Sequence, residues 1–330
     1  MKKRLMTMLL TCTTLMTLTG MSLAGCGTAA SGESTGASSD TTADAPAATQ
    51  STSGSTESAA DSSTTADSAA ASASVQTVQA GKLRVAMECA YAPYNWTQPD
   101  DSNGAVQIAE SKDYANGYDV MMAQKIADSL GLKLEVVKLD WDSLIPAVQS
   151  GTVDCVIAGQ SITAERMQSV DFSDPYFYAS IVTLTKSDSK YASAKSIADL
   201  SGAKATSQIN TIWYDTCIPQ IPDVDKQSAQ KTAPQMLVAL DSGATDIVVT
   251  DMPTAKAALV AYPDLKLLDF SGSDGDYKVS DEDVNIGCSM KKGNTALKTA
   301  INAVVDKMTA DDFNKLMDQA ISVQPMSTSN

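Results

Sequence analysis

Residues 142–159 read DSLIPAVQSGTVDCVIAG, and residues 234–251 read PQMLVALDSGATDIVVTD. Each stretch starts with a helical pattern, stops at a glycine (Gly151 or Gly243) and continues into an apolar run that is typical of a buried strand. This repeated helix-to-strand unit predicts two α/β lobes, each with a parallel-core sheet and crossover helices. Ligands of such sheets bind beyond the carboxyl ends of the strands, so two facing lobes predict a cleft.

The region after residue 80 continues the same alternation of strands and helices. Apolar β-rich runs alternate with segments whose apolar residues recur at helical spacing. The predicted strands lie at 83–87, 132–139, 199–208 and 264–269, and a helix is predicted at 117–130. The expected fold class is therefore α/β throughout this region.

The composition of the 330-residue chain excludes several functions. With 39 acidic against 24 basic residues the formal net charge is −15, which argues against nucleic acid as a partner. The chain has no histidine, so a Ser-His-Asp triad and a histidine-containing metal site are excluded. A CxxC pair is absent from the sequence as well, and we predict neither a metal nor a cofactor.

The N-terminus has the order of a secretory signal. Lys2, Lys3 and Arg4 precede an apolar stretch, and LAGC follows at 23–26. The small residues ending on Cys26 resemble the lipobox of bacterial lipoproteins, which implies a signal peptide at 1–25, cleavage before Cys26 and lipidation of its thiol, as by palmitate. The alternative is an ordinary signal peptide in which Cys26 is incidental. An uncleaved membrane anchor is disfavoured because the apolar stretch is short and rich in Thr.

Residues 26–80 are predicted to be a disordered tether that begins at the lipidated cysteine. From residue 27 onward the segment consists mostly of Ser, Thr, Ala, Gly and Asp, with no aromatic residue, Lys or Arg. Such a segment cannot bury enough apolar surface to offset the entropy of ordering it. The tether and the anchor together predict a soluble domain held at the extracellular face of the cell membrane.

Four cysteines remain in the region predicted to fold. In an exported protein they would permit two disulfides. They are scattered singly, and two of them lie within apolar strand-like runs, so we favour reduced, buried thiols. These cysteines are Cys89, Cys155, Cys217 and Cys288.

Four longer stretches resemble one known family. They are LRVAMECAYAPYNW at 83–96, GYDVMMAQKIADSLGLKLEVVKLDWDSLIPAVQSGTVDCVIAG at 117–159, SITAERMQSVDFSDPYFYAS at 161–180 and SGATDIVVTDMPTA at 242–255. These stretches resemble the polar amino acid binding proteins of ATP-driven importers, solute-binding family 3. The resemblance implies a periplasmic-binding-protein-like fold of type II, in which a two-strand hinge joins two lobes.

The resemblance also implies boundaries for the lobes. Lobe 1 would comprise residues 81–182 plus 287–330, and lobe 2 would comprise residues 183–286. The chain would cross between them near 181–185 and near 285–290.

The function implied by the resemblance is that of an extracellular receptor of an ABC importer. It would capture a free amino acid between its lobes, as a monomer, and deliver it to a membrane permease with an ATPase. No catalytic residue is implied, so an enzyme is not expected. Two alternatives remain open, namely a surface amino acid sensor and a lyase of the same fold that acts on a small carboxylate, with Glu88 as its acid or base.

The resemblance assigns the ligand α-carboxylate to Arg166. A guanidinium fork matches a carboxylate, and the start of a helix capped by Thr163 would add positive potential. Ser161 and Gly159 would complete this pocket. The structural alternative is a surface arginine near a helix start.

Asp251 would pair with the ligand α-ammonium from the other lobe. Its alternative role is that of an N-cap, because Met252 and Pro253 follow it. Both roles are compatible at the end of a strand. Arg166 and Asp251 would thus hold opposite ends of a zwitterion and keep the lobes closed.

The remaining site residues would contact the ligand side chain or complete its carboxylate pocket. Glu88 favours a cationic or hydrogen-bond-donating side chain, unless it is an acid bonded to local backbone. Tyr91 and Trp141 would line the pocket by the same resemblance, although aromatic residues are more often part of a core. Asn210 replaces a glycine that is usual in the family, and an αL conformation there would preserve the loop. The residues assigned to this loop are Gln208 in the side-chain pocket, with Asn210 and Thr211 at the carboxylate.

Overall fold

The structure is a computed structural model that describes residues 75–325. The predicted signal peptide, Cys26 and the tether up to residue 74 lie outside the described residues. The strands, numbered in chain order, are β1 Lys82–Met87, β2 Ala90–Tyr91, β3 Asn95–Gln98, β4 Val106–Gln107, β5 Tyr114–Asn116, β6 Lys133–Lys138, β7 Cys155–Val156, β8 Val170–Phe172, β9 Phe177–Tyr178, β10 Ile181–Lys186, β11 Lys204–Thr206, β12 Asp225–Lys226, β13 Ile247–Asp251, β14 Leu265–Leu268, β15 Asn285–Ile286 and β16 Ser289–Lys291.

The α-helices connect and cover these strands. They are α1 Tyr118–Ser129, α2 Leu144–Ser150, α3 Ala164–Met167, α4 Ala233–Asp241, α5 Met252–Ala261, α6 Asp281–Val284, α7 Thr295–Val305 and α8 Ala310–Val323. Both predicted helix-to-strand units are present, as α2 followed by β7 and α4 followed by β13. Gly151 and Gly243 adopt the left-handed conformation after these helices, with φ of 77° and 75°, which confirms their role as helix stops.

Two five-stranded sheets form the centres of two lobes. The first sheet has the order β6-β1-β7-β16-β8 and defines lobe 1, and the second has the order β12-β11-β13-β10-β14 and defines lobe 2. In each sheet three neighbouring strands are parallel, whereas β16 and β10 run antiparallel to their neighbours. These two strands follow the points where the chain crosses from the other lobe, and they run in the direction opposite to that of their neighbours.

The crossing segments pair with each other. In the ladder of β9 and β15, Tyr178 lies opposite Asn285 and Phe177 opposite Ile286. Residues 181–185, near which the first crossing was predicted, follow β9 closely and form most of β10 in the second sheet. Helix α8 adds a further link, since it packs against α1 of lobe 1 and α5 of lobe 2.

A four-stranded antiparallel sheet of order β2-β3-β5-β4 stands beside the first sheet and carries the residues that follow β1. The sequence patterns did not indicate it. Gly117 closes this region against α1, with a φ of 125°. A Cβ there would lie 2.3 Å from the carbonyl oxygen of Tyr94, so only glycine fits.

The apolar side chains of the strands and the inner helix faces form the core. The four cysteines at 89, 155, 217 and 288 are buried and free. No helix within residues 75–325 combines the length and apolar character needed to cross a membrane.

Candidate ligand-binding site

The ten predicted ligand-site residues lie at or just beyond the carboxyl ends of strands, where the two lobes face each other. They come from both lobes. They are Glu88 and Tyr91 after β1, Trp141 after β6, Gly159, Ser161 and Arg166 after β7, Gln208, Asn210 and Thr211 after β11, and Asp251 at the end of β13.

Arg166 lies in the short helix α3, where its backbone N–H donates to the Thr163 hydroxyl at 3.2 Å, as the predicted cap requires. Its guanidinium donates from Nη1 to the carbonyl of Ser161 at 2.8 Å and from Nη2 to the carbonyl of Asn210 at 2.9 Å. It also lies over the ring of Trp141, 5.6 Å from the centroid. Desolvation lowers the pKa of Arg166 to about 10, so it keeps its charge at neutral pH.

Asp251 is buried at the end of β13 and has two partners. Its Oδ1 accepts from the backbone N–H of Thr254 at 2.8 Å, so the N-cap role is real. Its Oδ2 accepts a short hydrogen bond from the Tyr91 hydroxyl of lobe 1. Burial raises the pKa of Asp251, and these hydrogen bonds oppose the shift. One oxygen therefore caps a helix while the other faces the opposite lobe.

Glu88 is also buried, and its main partner is neutral. The Gln208 amide donates to both carboxylate oxygens of Glu88, at 3.1 and 3.2 Å, and to the carbonyl of Lys231 at 3.2 Å. Burial raises the pKa of Glu88 to about 7; the Gln208 hydrogen bond lowers it, while the charges of Asp140 and Asp142 raise it further. The pocket therefore holds a carboxylate whose charge is only weakly compensated.

The loop around Asn210 keeps the shape expected of it. Asn210 adopts the left-handed conformation with φ of 56°, and its amide donates to Asp142 of lobe 1 at 2.7 Å. The Thr211 hydroxyl donates to the Gln208 carbonyl at 2.7 Å and accepts from the backbone N–H of Tyr214 at 3.4 Å. This loop therefore carries contacts to two residues of the other lobe, Arg166 and Asp142.

Gly159 has a conformation and surroundings that exclude a side chain. Its φ is 64°, and a Cβ would lie 2.6 Å from the ring of Tyr91. Its backbone N–H donates to the hydroxyl of Tyr176 at 3.1 Å. The expected backbone contact of Gly159 with a carboxylate is thus occupied by a tyrosine hydroxyl in this arrangement.

Three side chains predicted to bind the ligand form hydrogen bonds with the opposite lobe. Tyr91 bonds Asp251, Gln208 bonds Glu88, and the carbonyl of Asn210 accepts from Arg166. The lobes are therefore closed on each other by direct contacts. A ligand that binds here must exchange protein hydrogen bonds for its own.

The sequence patterns missed four polar residues beneath this site. Tyr94 stacks on Tyr91 at 4.7 Å between ring centroids, and burial together with the nearby Asp251 carboxylate raises the pKa of its hydroxyl. Asp119, in the first turn of α1, points its buried carboxylate at Asn95 and Tyr176, at 2.7 Å each. Burial raises the pKa of Asp119 to about 7, against the effect of those two bonds. The partners of Asp119 lie 24 and 57 positions away in the sequence, so no local pattern indicates this network.

The entrance to the cleft is acidic. An open cavity of about 760 Å³ adjoins Arg166 and is lined from both lobes. Its carboxylates are Glu165, Asp215 and Asp283, which favour the charged form of Arg166. Residues 75–325 contain no group of three or more acidic or cysteine side chains arranged to hold a metal ion.

Two α/β lobes that close on an arginine and two carboxylates define a two-lobe solute-binding protein. Residues 83–322 match the bacterial extracellular solute-binding proteins, family 3, and the chain belongs to that family. This confirms the resemblance to amino acid binding proteins of ABC importers, the predicted fold class and the general function of a substrate-binding receptor.

Particular relatives agree with this assignment. The chain is 31% identical over 183 residues to the probable histidine-binding protein of Campylobacter jejuni, an alignment that covers 56% of this chain but only 65% of that relative. An amino acid ABC transporter substrate-binding protein of Streptococcus pneumoniae, solved with bound L-arginine, is 26% identical, has a TM-score of 0.64 and is matched over 76% of this chain and 99% of its own.

A third relative bears on the question of catalysis. The structure of an ancestral amino acid-binding protein, described as a precursor of cyclohexadienyl dehydratase, is 30% identical with a TM-score of 0.59, over 73% of this chain and 96% of its own. The relatives are named for binding, which is consistent with the prediction that this chain is not an enzyme.

Proposed function

We propose that this protein captures a free amino acid with a cationic side chain, such as arginine, and delivers it to the permease of an ABC importer. The observation that carries the proposal is the buried Glu88. Among the described residues its hydrogen-bond donor is the neutral amide of Gln208, and no ion pair reaches it. A guanidinium or ammonium group would supply the missing counter-charge.

The remaining residues would hold the common part of the ligand. Arg166 would take the α-carboxylate, with Ser161, Gly159, Asn210 and Thr211 around it. The carboxylate would then accept the guanidinium hydrogens that now go to the carbonyls of Ser161 and Asn210.

Asp251 would take the α-ammonium in place of the Tyr91 hydroxyl. The rings of Tyr91 and Trp141, with the amide of Gln208, would border the ligand side chain. Trp141 would also keep the Arg166 guanidinium in place by the stacking described above.

Two of the three named relatives support this ligand class, because one is a probable histidine-binding protein and the other was solved with L-arginine. The acidic entrance supports it as well, since carboxylates at a cleft raise the local concentration of cations. A lyase is the second candidate. A pKa of about 7 at Glu88 would suit an acid or base, and one structural relative is a precursor of a dehydratase.

The cellular setting is also part of the proposal. The Cys26 thiol would carry a lipid after cleavage of residues 1–25, and the chain would act as a monomer at the extracellular face beside its permease and ATPase. Mass spectrometry of the mature N-terminus tests this, together with a Cys26→Ser variant. The variant should lose the lipid mass and leave the membrane fraction.

The deciding experiment is calorimetry of the chain without its signal segment, refolded to remove copurified ligand, against twenty amino acids. Arginine, lysine or histidine should bind at least about tenfold more tightly than neutral amino acids, a difference of ~1.4 kcal/mol. Binding of a neutral or acidic amino acid alone would contradict the cationic assignment. Turnover of a small carboxylate, absent in Glu88→Gln, would favour the lyase.

A further inference from the structure

We infer that Asp119 is a positioning residue that holds two loops on the lobe 1 side of the ligand site, the Glu88–Tyr91 loop and the Gly159 loop, through two separate hydrogen-bond chains. Its effect on affinity rests on the proposed function, whereas its effect on the two loops does not. Asp119 lies behind the side chains that would face the ligand. Its carboxylate is buried and each of its oxygens serves one chain.

The first chain leads to the loop that carries Glu88 and Tyr91. The Asn95 amide donates from Nδ2 to Asp119 Oδ2 at 2.7 Å. The Oδ1 of the same amide accepts from the backbone N–H of Cys89 at 2.6 Å. Cys89 lies between the two ligand residues and has a φ of 52°, a conformation that a non-glycine residue adopts only when its surroundings hold it.

The second chain leads to the carboxylate pocket. The Tyr176 hydroxyl donates to Asp119 Oδ1 at 2.7 Å and accepts from the backbone N–H of Gly159 at 3.1 Å. Because a tyrosine has one hydroxyl hydrogen, the donation to Asp119 turns the oxygen lone pairs toward Gly159. Asp119 thus takes up the hydroxyl hydrogen and leaves a lone pair of Tyr176 for the Gly159 N–H.

Backbone hydrogen bonds hold the helix start that carries Asp119. Asp119 belongs to the first turn of α1, and the backbone N–H groups of Tyr118 and Asp119 donate to the carbonyls of Pro93 and Tyr94 at 3.1 and 2.8 Å. The helix that carries the Asp119 carboxylate is therefore bonded to residues 93 and 94, which follow the loop that Asp119 orients. A small shift of Asp119 would therefore move the Glu88–Tyr91 loop and the Gly159 loop together.

The donor and acceptor roles within the two hydrogen-bond chains give a specific test. In its ionised form, which dominates above about pH 7, Asp119 only accepts, and an asparagine at this position would place an N–H₂ group against either Asn95 or Tyr176. The double variant Asn95→Asp with Asp119→Asn restores every bond with the roles exchanged. The introduced amide would donate to the introduced carboxylate and accept from Tyr176, while that carboxylate would still accept from the backbone N–H of Cys89. A merely space-filling role could not be rescued in this way.

The experiment measures amide hydrogen exchange at Cys89 and Gly159 in the ligand-free protein, and arginine affinity by calorimetry. Asp119→Asn should speed exchange at both amides and weaken arginine binding, each by about tenfold or more, as expected when a buried donor loses its partner. The double variant should return both exchange rates and the affinity to within about threefold of the unaltered protein, because its bonds are equivalent.

Two partial variants keep the inference testable if Asp119→Asn does not fold. Tyr176→Phe should speed exchange at Gly159 and leave Cys89 slow, and Asn95→Ala should do the reverse. The control is Tyr277→Phe in lobe 2, which removes a buried bond of 2.7 Å to Thr183. It should lower the melting temperature without a change at either amide or in affinity.

The results separate this inference from the proposed function. If the unaltered protein binds no amino acid, the proposed function fails while the exchange rates still decide the role of Asp119. Unchanged exchange at both amides in a folded Asp119→Asn variant would overturn the inference. So would a folded double variant that exchanges as fast as Asp119→Asn.

Discussion

The hydroxyl of Tyr91, in lobe 1, donates a hydrogen bond to the carboxylate of Asp251, in lobe 2. The contact joins an aromatic residue of the proposed side-chain pocket to the proposed ammonium anchor. It occupies the carboxylate oxygen that a ligand ammonium would use. Ligand binding at Asp251 is therefore a competition with the protein's own hydroxyl.

Removal of that hydroxyl tests the competition. In Tyr91→Phe the buried Asp251 loses a donor, which should cost about 1–3 kcal/mol of stability in the ligand-free protein. Such a loss lowers the melting temperature by ~2–4 °C per kcal/mol for a domain of this size. Saturating arginine should restore most of the difference, because its ammonium replaces the hydroxyl. Equal melting temperatures of both ligand-free proteins would contradict the role given to this bond.

Arg166→Ala should weaken amino acid binding on the order of a hundredfold, since removal of one partner of a buried charged contact costs about 2–5 kcal/mol. The fold should persist because the side chain of Arg166 bonds loop carbonyls and not the core. Calorimetry measures the affinity and circular dichroism the fold. Arg84→Ala is the matched control, because Arg84 pairs with Glu135 at 2.7 Å on the outside of the first sheet. An equal loss of affinity in both variants would refute the specific assignment.

Glu88→Gln should change the order of ligand preference. Arginine should bind about tenfold less tightly or worse, since a charge-assisted hydrogen bond contributes about 1.5–3 kcal/mol. The affinity for free glutamine, a ligand whose side chain is neutral, should change by less than about threefold. A competition assay with the amino acid panel measures the ratio, and Glu135→Gln is the control for loss of a carboxylate elsewhere. An unchanged ratio would make Glu88 a structural residue.

The ligand-free protein should lose stability as the pH rises from 5 to 8. Burial raises the pKa of both Glu88 and Asp119 to about 7, whereas carboxyl groups of an unfolded chain titrate near 4. Between these values the folded state holds more protons than the unfolded state. The contribution of both groups is therefore complete below about pH 4 and declines until they are ionised above about pH 7.

Urea unfolding at pH 5, 6, 7 and 8 measures this decline, which should be on the order of a few kcal/mol at about 1.4 kcal/mol for each unit of raised pKa. In Glu88→Gln the slope should be shallower, because Glu88 no longer contributes to it. Stability that rises with pH in the unaltered protein would show that neither carboxyl group is held protonated.

Local patterns were sufficient to predict the strands β1, β6, β7, β13 and β14, the helices α1, α2 and α4, and the glycine stops. The strand predicted at 199–208 is instead a 3-10 helix at Ile197–Leu200 followed by the shorter β11. The spacing of apolar residues in 142–159 and 234–251 depends only on neighbours in the sequence, and the structure reproduces it as α2–β7 and α4–β13. The four-stranded sheet of β2 to β5 was not predicted, because its strands have two to four residues and show no alternation long enough to read.

The partners of the site residues could not be predicted in the same way. Gln208 and Glu88 are 120 positions apart, and Tyr176 and Asp119 are 57 apart. Such pairs depend on how the lobes face each other and on which buried groups still need a partner. The roles of the site residues themselves remain predictions that rest on family resemblance and on their position at the strand ends.

The ladder of β9 and β15 has a consequence for how the chain folds. Lobe 2 begins and ends at this ladder, while β16 must still insert between β7 and β8, which precede the whole of lobe 2 in the sequence. Closing a flexible loop costs more entropy as the loop lengthens. When lobe 2 is already folded, it holds the crossing segments β9 and β15 side by side. The loop that must still close for β16 to join β7 and β8 is then effectively only a few residues long. The middle of the sequence is therefore expected to fold first, and the two ends of lobe 1 to join around it afterwards.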